Sequence, residues 1–137
     1  MVVSLEKFTI KTEEREIFVD ITQVVRKIIS NGKILNGVCR IFVPHTTAAV
    51  TINENADPHV RVDLITILRE ISLQIGKLHL LHSEGNSDAH FKSSLIGCCQ
   101  EIPIHNKNLL LGTWQGIYFC EFDGPRTRQI YVQLQGE

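Results

Sequence analysis

The chain has 137 residues, with 14 Lys plus Arg against 15 Asp plus Glu and a net charge of −1. That length is one domain's worth, residues 1–137, and 43% hydrophobic with 21% charged residues is ordinary for a soluble globular protein. A near-neutral chain without a basic block is a poor nucleic-acid scaffold, and no apolar run approaches the ~18 residues that would span a bilayer.

The first residues carry Glu6 and Lys7 and no small-residue cleavage site, so they do not read as a signal peptide, and the expected location is cytoplasmic. Val3–Ile10 reads as a strand with Val3 and Leu5 on one face and Phe8 and Ile10 on the other. Glu16–Ile21 alternates Ile17, Val19 and Ile21 against Glu16, Phe18 and Asp20, again the period of a strand. The period then changes. Ile21, Val24, Val25, Ile28 and Ile29 form one helical stripe. Asp20 is its expected N-cap, Gln23 its capping-box partner, and Asn31-Gly32 its stop through a left-handed glycine.

Gly37–Val43 and Ala48–Ile52 are the next strands, with a bend at Pro44. Asp57-Pro58 opens a second helix as N-cap and first helical residue, with Val60, Leu64, Leu68 and Ile71 as its apolar stripe. Leu78–Asp88 reads as a loop. A short helix follows from Ser87 or Asp88 to Ile96, with Phe91, Leu95 and Ile96 as its apolar residues and Gly97 as its stop. The tail is strand: Cys98–Ile104, Leu109–Leu111, Gln115–Phe122 and Arg128–Leu134. The order β-β-α-β-β-α-α-β-β-β-β is an α+β pattern with a largely antiparallel sheet system.

Three polar stretches carry potential chemistry. In Val43–Asp57, His45 supplies a ligand or base, Thr46 and Thr47 supply hydroxyls, and Asn53, Glu54 and Asp57 are expected to converge near a helix N-terminus, where the dipole favours anions. In His79–His90, three histidines and two carboxylates fall within twelve residues. His82 on the loop and His90 in the first helical turn are a pairing that builds metal sites. In Leu111–Arg128, Gly112 and Gly116 flank Trp114, which suggests close backbone approach or a bulge. Arg126 and Arg128 are expected on one face of a strand, where two guanidinium groups can grip a phosphate. His59, His79 and His105 sit among surface-like residues and read as solvated. Cys39, Cys98, Cys99 and Cys120 contain no C-x-x-C pair and read as small, partly buried, reduced residues.

Four blocks in order resemble the YjbQ-like family, to which a secondary thiamine-phosphate synthase activity is ascribed. They are His45-Thr46-Thr47-Ala48-Ala49, Ile52–Asp57, Ala89–Gly97, and Leu111–Ile117 continuing through Glu121–Arg128. Cys98-Cys99 and a short loop before His90 depart from the family pattern. The resemblance implies a compact α+β fold with two packed β-sheets and assembly as a homotrimer. It also implies a site in the histidine-bearing segments, and joining of a pyrimidine pyrophosphate to a thiazole phosphate with release of pyrophosphate. On that reading His45, Thr46, Glu54 and Asp63 are the catalytic candidates, and Thr47, Asn53, Trp114, Gln115, Arg126 and Arg128 bind the phosphorylated substrate. His45, His82 and His90 are expected to meet at one divalent metal, zinc or magnesium, or at one anionic group, with Glu54, Asp57 or Asp63 completing the shell or orienting a histidine through its second nitrogen. The competing readings are a non-catalytic trimeric module for a small anion or metal, and a metal-dependent hydrolase of a phosphorylated small molecule.

Overall fold

A computed structural model describes residues 1–137 and places eight strands and three helices in the predicted order. They are β1 (Val2–Lys11), β2 (Ile17–Asp20), α1 (Thr22–Asn31), β3 (Gly37–Phe42), β4 (Ala48–Glu54), α2 (Pro58–Ile75), α3 (Ser87–Ile96), β5 (Cys99–His105), β6 (Asn108–Leu109), β7 (Gln115–Glu121) and β8 (Thr127–Gly136). Every pairing is antiparallel. One sheet has five strands in the order β1-β8-β3-β5-β6, and the other has three in the order β2-β7-β4.

Apolar burial explains the layering. The larger core takes Cys39 and Ile41 from β3, Ile102 and Ile104 from β5, and Ile130, Val132 and Leu134 from β8. Facing them are Val50, Ile117 and Phe119 of the small sheet, with Ile21, Val25 and Ile29 closing the layer from the α1 side. The far face of the small sheet gives Phe18, Ala49, Tyr118 and Cys120 to a second core, covered by Leu68 of α2 and Ala89 of α3. Strand β7 is buried on both faces, so its sequence reads as a nearly continuous apolar run.

Local signals succeed and fail for physical reasons. Asp57 caps α2 by accepting the His59 amide at 2.9 Å, with Pro58 at the first position. Gly97 ends α3 at φ 98°, where a side chain would be strained. Helix α1 starts at Thr22, one residue later than predicted. Asp20 accepts the Thr22 amide and hydroxyl at 2.9 and 2.6 Å, and no side-chain bond from Gln23 closes a box. Gly32 ends α1 in an extended conformation, not the left-handed one expected. The expected Leu109–Leu111 strand shortens to Asn108–Leu109.

Helix α3 is the main reversal. Its predicted apolar residues Phe91 and Leu95 are 48% and 58% exposed, while Asp88, Lys92 and Ser93 are buried. The cause is polar pairing: Lys92 meets Glu16, and Ser93 donates to the Ala48 carbonyl at 2.7 Å. Two of the four cysteines also differ from expectation. Cys98 and Cys99 are exposed, and only Cys39 and Cys120 are buried. No helix is long and apolar enough to cross a membrane.

Candidate functional site

The chain passes between the two sheets twice at one end of the fold. Residues 43–47 lead from β3 in the large sheet to β4 in the small one. Residues 122–126 lead from β7 back to β8. The pairing of Ala48 with Glu121 sets these two crossings side by side. A cleft of about 630 Å³ opens there, walled by His45, Thr46, Thr47, Arg126 and Arg128, with Asn86, Asp123 and Cys98. The loop before α3 and its first turn complete the wall with His82, Glu84 and His90.

A dry ion pair supports the sheet side. Glu121 is wholly buried and Arg128 is 5% exposed. Arg128 Nε donates to Glu121 Oε1 at 2.9 Å, and its Nη2 donates to both Glu121 Oε2 and Thr47 Oγ1, the latter at 2.8 Å. Thr12 Oγ1 donates to Glu121 Oε1 at 2.7 Å and accepts the Arg126 amide at 2.9 Å. Burial pushes the Glu121 carboxyl up, but the hydrogen bonds from Arg128 and Thr12 outweigh it and hold the group below its ordinary value. Gly124 is required at this turn, because a Cβ there would collide with the Glu14 carbonyl oxygen.

His45 sits against this pair. Its Nε2 accepts the Gln129 amide at 2.9 Å, so the neutral ring carries its proton on Nδ1. Burial and then the nearby Arg128 charge lower its pKa, which favours the neutral form near pH 7.

A second buried network supports the helix side. Lys92 Nζ, fully buried, donates to Glu16 Oε1 at 2.9 Å and to Ser72 Oγ at 2.5 Å. Ser72 donates to Asp88 Oδ2 at 2.7 Å, and Arg15 holds Asp88 in a two-pronged bridge at 3.0 and 3.1 Å. Burial opposes the charge on Asp88, but these bonds win and pull its pKa down to about 2. The network ties α2, α3 and the residues before β2 together, which sets the position of His90 on α3. Asn86, just before α3, donates to Asp123 at 2.9 Å and joins the helix side to the β7–β8 crossing.

His82 and His90 meet edge to face with ring centres 5.2 Å apart. His82 Nδ1 lies 3.3 Å from Ser87 Oγ, and Nε2 lies 3.8 Å from Glu84. Three imidazoles are a donor set suited to a zinc-type ion. In this conformation no group of three His, Cys, Asp or Glu side chains is close enough to hold one.

The remaining predicted site residues lie elsewhere. Glu54 is at the opposite end of β4 from Thr47, ~20 Å away at the usual rise of a strand. With Asp57 and Trp114 it lines a separate depression. Asn53 is exposed and accepts the Glu54 amide, Gln115 accepts the Gly112 amide at 2.8 Å, and Asp63 is exposed on α2. Close backbone approach does occur at Gly116, whose missing Cβ leaves room for the Asn55 side chain. His59, His79 and His105 are all exposed and outside the cleft.

Sequence reasoning missed the supports behind the cleft. Lys92, Ser72 and the adjacent Arg15 and Glu16 lie far apart in the chain, and nothing local marks them as partners. Glu121 carried a usable signal, a lone charge inside the apolar run Tyr118–Phe122, since a buried charge requires a partner.

The profile of the family described as "UPF0047 protein YjbQ-like" matches residues 6–137. The chain belongs to the UPF0047 family. It is 53% identical over 133 residues to a UPF0047 protein of Methanocaldococcus jannaschii, covering 97% of this chain and 95% of that one. It is 47% identical to the UPF0047 protein YugU of Bacillus subtilis, covering 96% and 99%. The crystal structure of a YbjQ-like protein of unknown function from Sulfolobus solfataricus superposes with a TM-score of 0.92 at 33% identity, covering 99% of each chain. A hypothetical protein from Aeropyrum pernix gives 0.90 at 38% identity, covering 98% and 99%. The α+β architecture with two antiparallel sheets is therefore the UPF0047 fold.

Proposed function

We propose that the histidine cleft is the active site of an enzyme acting on a phosphorylated small molecule. One observation carries this reading: His45, His82 and His90 line a single cleft with Arg126 and Arg128, although the five come from three separate stretches of chain. Departure of a phosphate or pyrophosphate needs donors and positive charge at the leaving oxygens. Arg126 is exposed at the rim, and neutral His45 has an Nδ1–H to donate. Thr46 adds a hydroxyl. Arg128 acts mainly by holding Thr47 and the strand end in place, because Glu121 neutralises it.

The specific reaction is the one implied by the family resemblance. A pyrimidine pyrophosphate is joined to a thiazole phosphate, and the carbon–oxygen bond to pyrophosphate breaks with its electrons leaving on pyrophosphate. It is proposed as a secondary activity. A divalent ion belongs to this proposal, with His82 and His90 as its holders; His45 would join them only by giving up the Gln129 amide, because its one free lone pair is used there. When bound it would polarise a phosphoryl oxygen. Assembly as a homotrimer is also proposed, supported by the exposed apolar side chains Val62, Ile67 and Leu73 of α2 and Phe91 and Leu95 of α3. Light scattering on the purified chain tests it, and a monomer at working concentration would refute it.

A second reading, a non-catalytic module for a small anion or metal, is favoured by one fact. Both cleft arginines are matched by carboxylates, Arg126 with Asp123 at 3.0 Å and Arg128 with Glu121. Alanine at His45, His82 or His90 separates the two. Each change is expected to lower turnover of the thiamine precursors by at least ~10²-fold, the scale of lost acid–base help, with circular dichroism unchanged. If all three variants keep full turnover, the cleft is not the active site.

A further inference from the structure

A cluster of uncompensated positive charge lies outside the histidine cleft. It lies in a groove of about 310 Å³ between α1 and the β5–β6 turn, lined by Gln23, Arg26, Lys27, Ser30, Lys107 and Asn108 over a floor of Ile29 and Leu109. Three cations line it and no carboxylate does. None of the three makes an ion pair, whereas the two arginines of the cleft are both paired. In a chain of net charge −1 such a patch is a local excess, and clefts of one sign concentrate counter-ions.

The patch is built by the fold. Gln23, Arg26, Lys27 and Ser30 follow the spacing i, i+3, i+4, i+7, which places them on one face of α1. Lys107 comes from a two-residue turn closed by the Ile104–Leu109 and His105–Asn108 pairs. Asn106 and Lys107 there have φ of 47° and 65°, a conformation in which glycine is the easy residue and lysine is strained. The turn is fixed by the Lys107 amide donating to the Leu35 carbonyl at 2.8 Å and by the Asn106 amide donating to Asn36 Oδ1 at 3.1 Å. A cation is thus carried at a position where the backbone favours having no side chain.

We infer that this groove binds a phosphate-bearing small molecule of two or more negative charges, at a site separate from the histidine cleft. Arg26, Lys27 and Lys107 supply the charge, and the side-chain amides of Gln23 and Asn108 supply neutral hydrogen bonds, while the Ser30 hydroxyl donates to the Lys27 carbonyl at 3.0 Å. Its size, about half that of the cleft, suits a diphosphate better than a folded polyanion.

Inorganic pyrophosphate is the probe, titrated at low salt into nitrogen-15-labelled protein and followed by amide shifts. Saturable shifts are expected at Gln23, Ser30, Lys107 and Asn108, with sulfate binding more weakly. Lys107→Gly is the informative variant, because glycine suits the turn and so keeps the fold while removing one cation. Lys107→Gly and Arg26→Gln are each expected to weaken this binding about tenfold, the loss of one charge-assisted hydrogen bond. Equal binding by both variants, or shifts confined to residues 45–47 and 126–128, would overturn the assignment. Tighter binding of a single-stranded oligonucleotide than of pyrophosphate would overturn the ligand class. His90→Ala, which disables the proposed reaction, leaves the groove shifts in place, so the two readings fail separately.

Discussion

The two buried charge clusters flanking the histidine cleft solve the same problem differently. On the sheet side, both oxygens of Glu121 are bonded, to Thr12 and Arg128 on one and to Arg128 and the Asp123 amide on the other. On the helix side, Glu16 Oε2 is buried with no partner, and Arg15 is nearly half exposed. The first is a closed pair between strands, and the second is an open network joining two helices. A closed buried pair fixes geometry rigidly, whereas a partly satisfied network holds its element with less margin. The cleft therefore has a rigid wall bearing His45 and a more yielding wall bearing His82 and His90.

The largest test of that difference removes one member of each cluster. Glu121→Ala strands a buried guanidinium and is expected to cost about 3–5 kcal/mol in denaturant unfolding. Lys92→Met leaves Asp88 still bridged by Arg15, so a smaller loss of about 2–3 kcal/mol is expected. If Lys92→Met cost more than Glu121→Ala, the ranking of the two walls would be reversed.

Acid unfolding sharpens the same contrast. The folded pKa of Glu121 is lowered, so the stability it contributes is fully present above the ordinary glutamate value of ~4.3 and is lost as pH falls through the folded pKa. Glu121→Gln is expected to be less stable near neutrality and to show a flatter loss of stability below pH ~4.3. An unchanged acid limb would mean that Glu121 is not ionised in the folded protein.

The smallest expected effect lies at the far end of β4. Trp114 is 62% exposed beside Glu54 and outside the cleft. Trp114→Ala should change stability by no more than ~0.5 kcal/mol and leave the monomer's cleft chemistry intact. A large loss of turnover would place this end of the fold at the site after all, by contact between subunits.

Much of the fold was legible because its signals are local. The Asp57-Pro58 cap, the Gly97 stop and the alternation of Ile130, Val132 and Leu134 each depend on a few adjacent residues. The site was legible in part. His45, His82 and His90 were read as one group, and with Arg126 and Arg128 they line one cleft; the two arginines do not share a strand face as expected, because Arg126 lies exposed before β8 and Arg128 is buried on it. Asn53 and Glu54 looked like neighbours of His45 in the sequence. An intervening strand carries them away, because extended chain advances ~3.3 Å per residue.

The sequence by itself determined the element order, the Asp57-Pro58 cap, the Gly97 stop and the apolar faces of the central strands, since period and turn chemistry act over a few residues. Only the tertiary structure decided which face of α3 is buried and which polar residues share a cavity. Lys92 is buried because of Glu16, 76 positions away, and Glu121 is tolerated inside a core because the β7–β8 crossing brings Arg128 onto it, with Thr12 from 109 positions away adding a hydrogen bond. The desolvation penalty of a buried charge is offset only when a partner arrives, and no local pattern announces a partner as far along the chain as Glu16 is from Lys92.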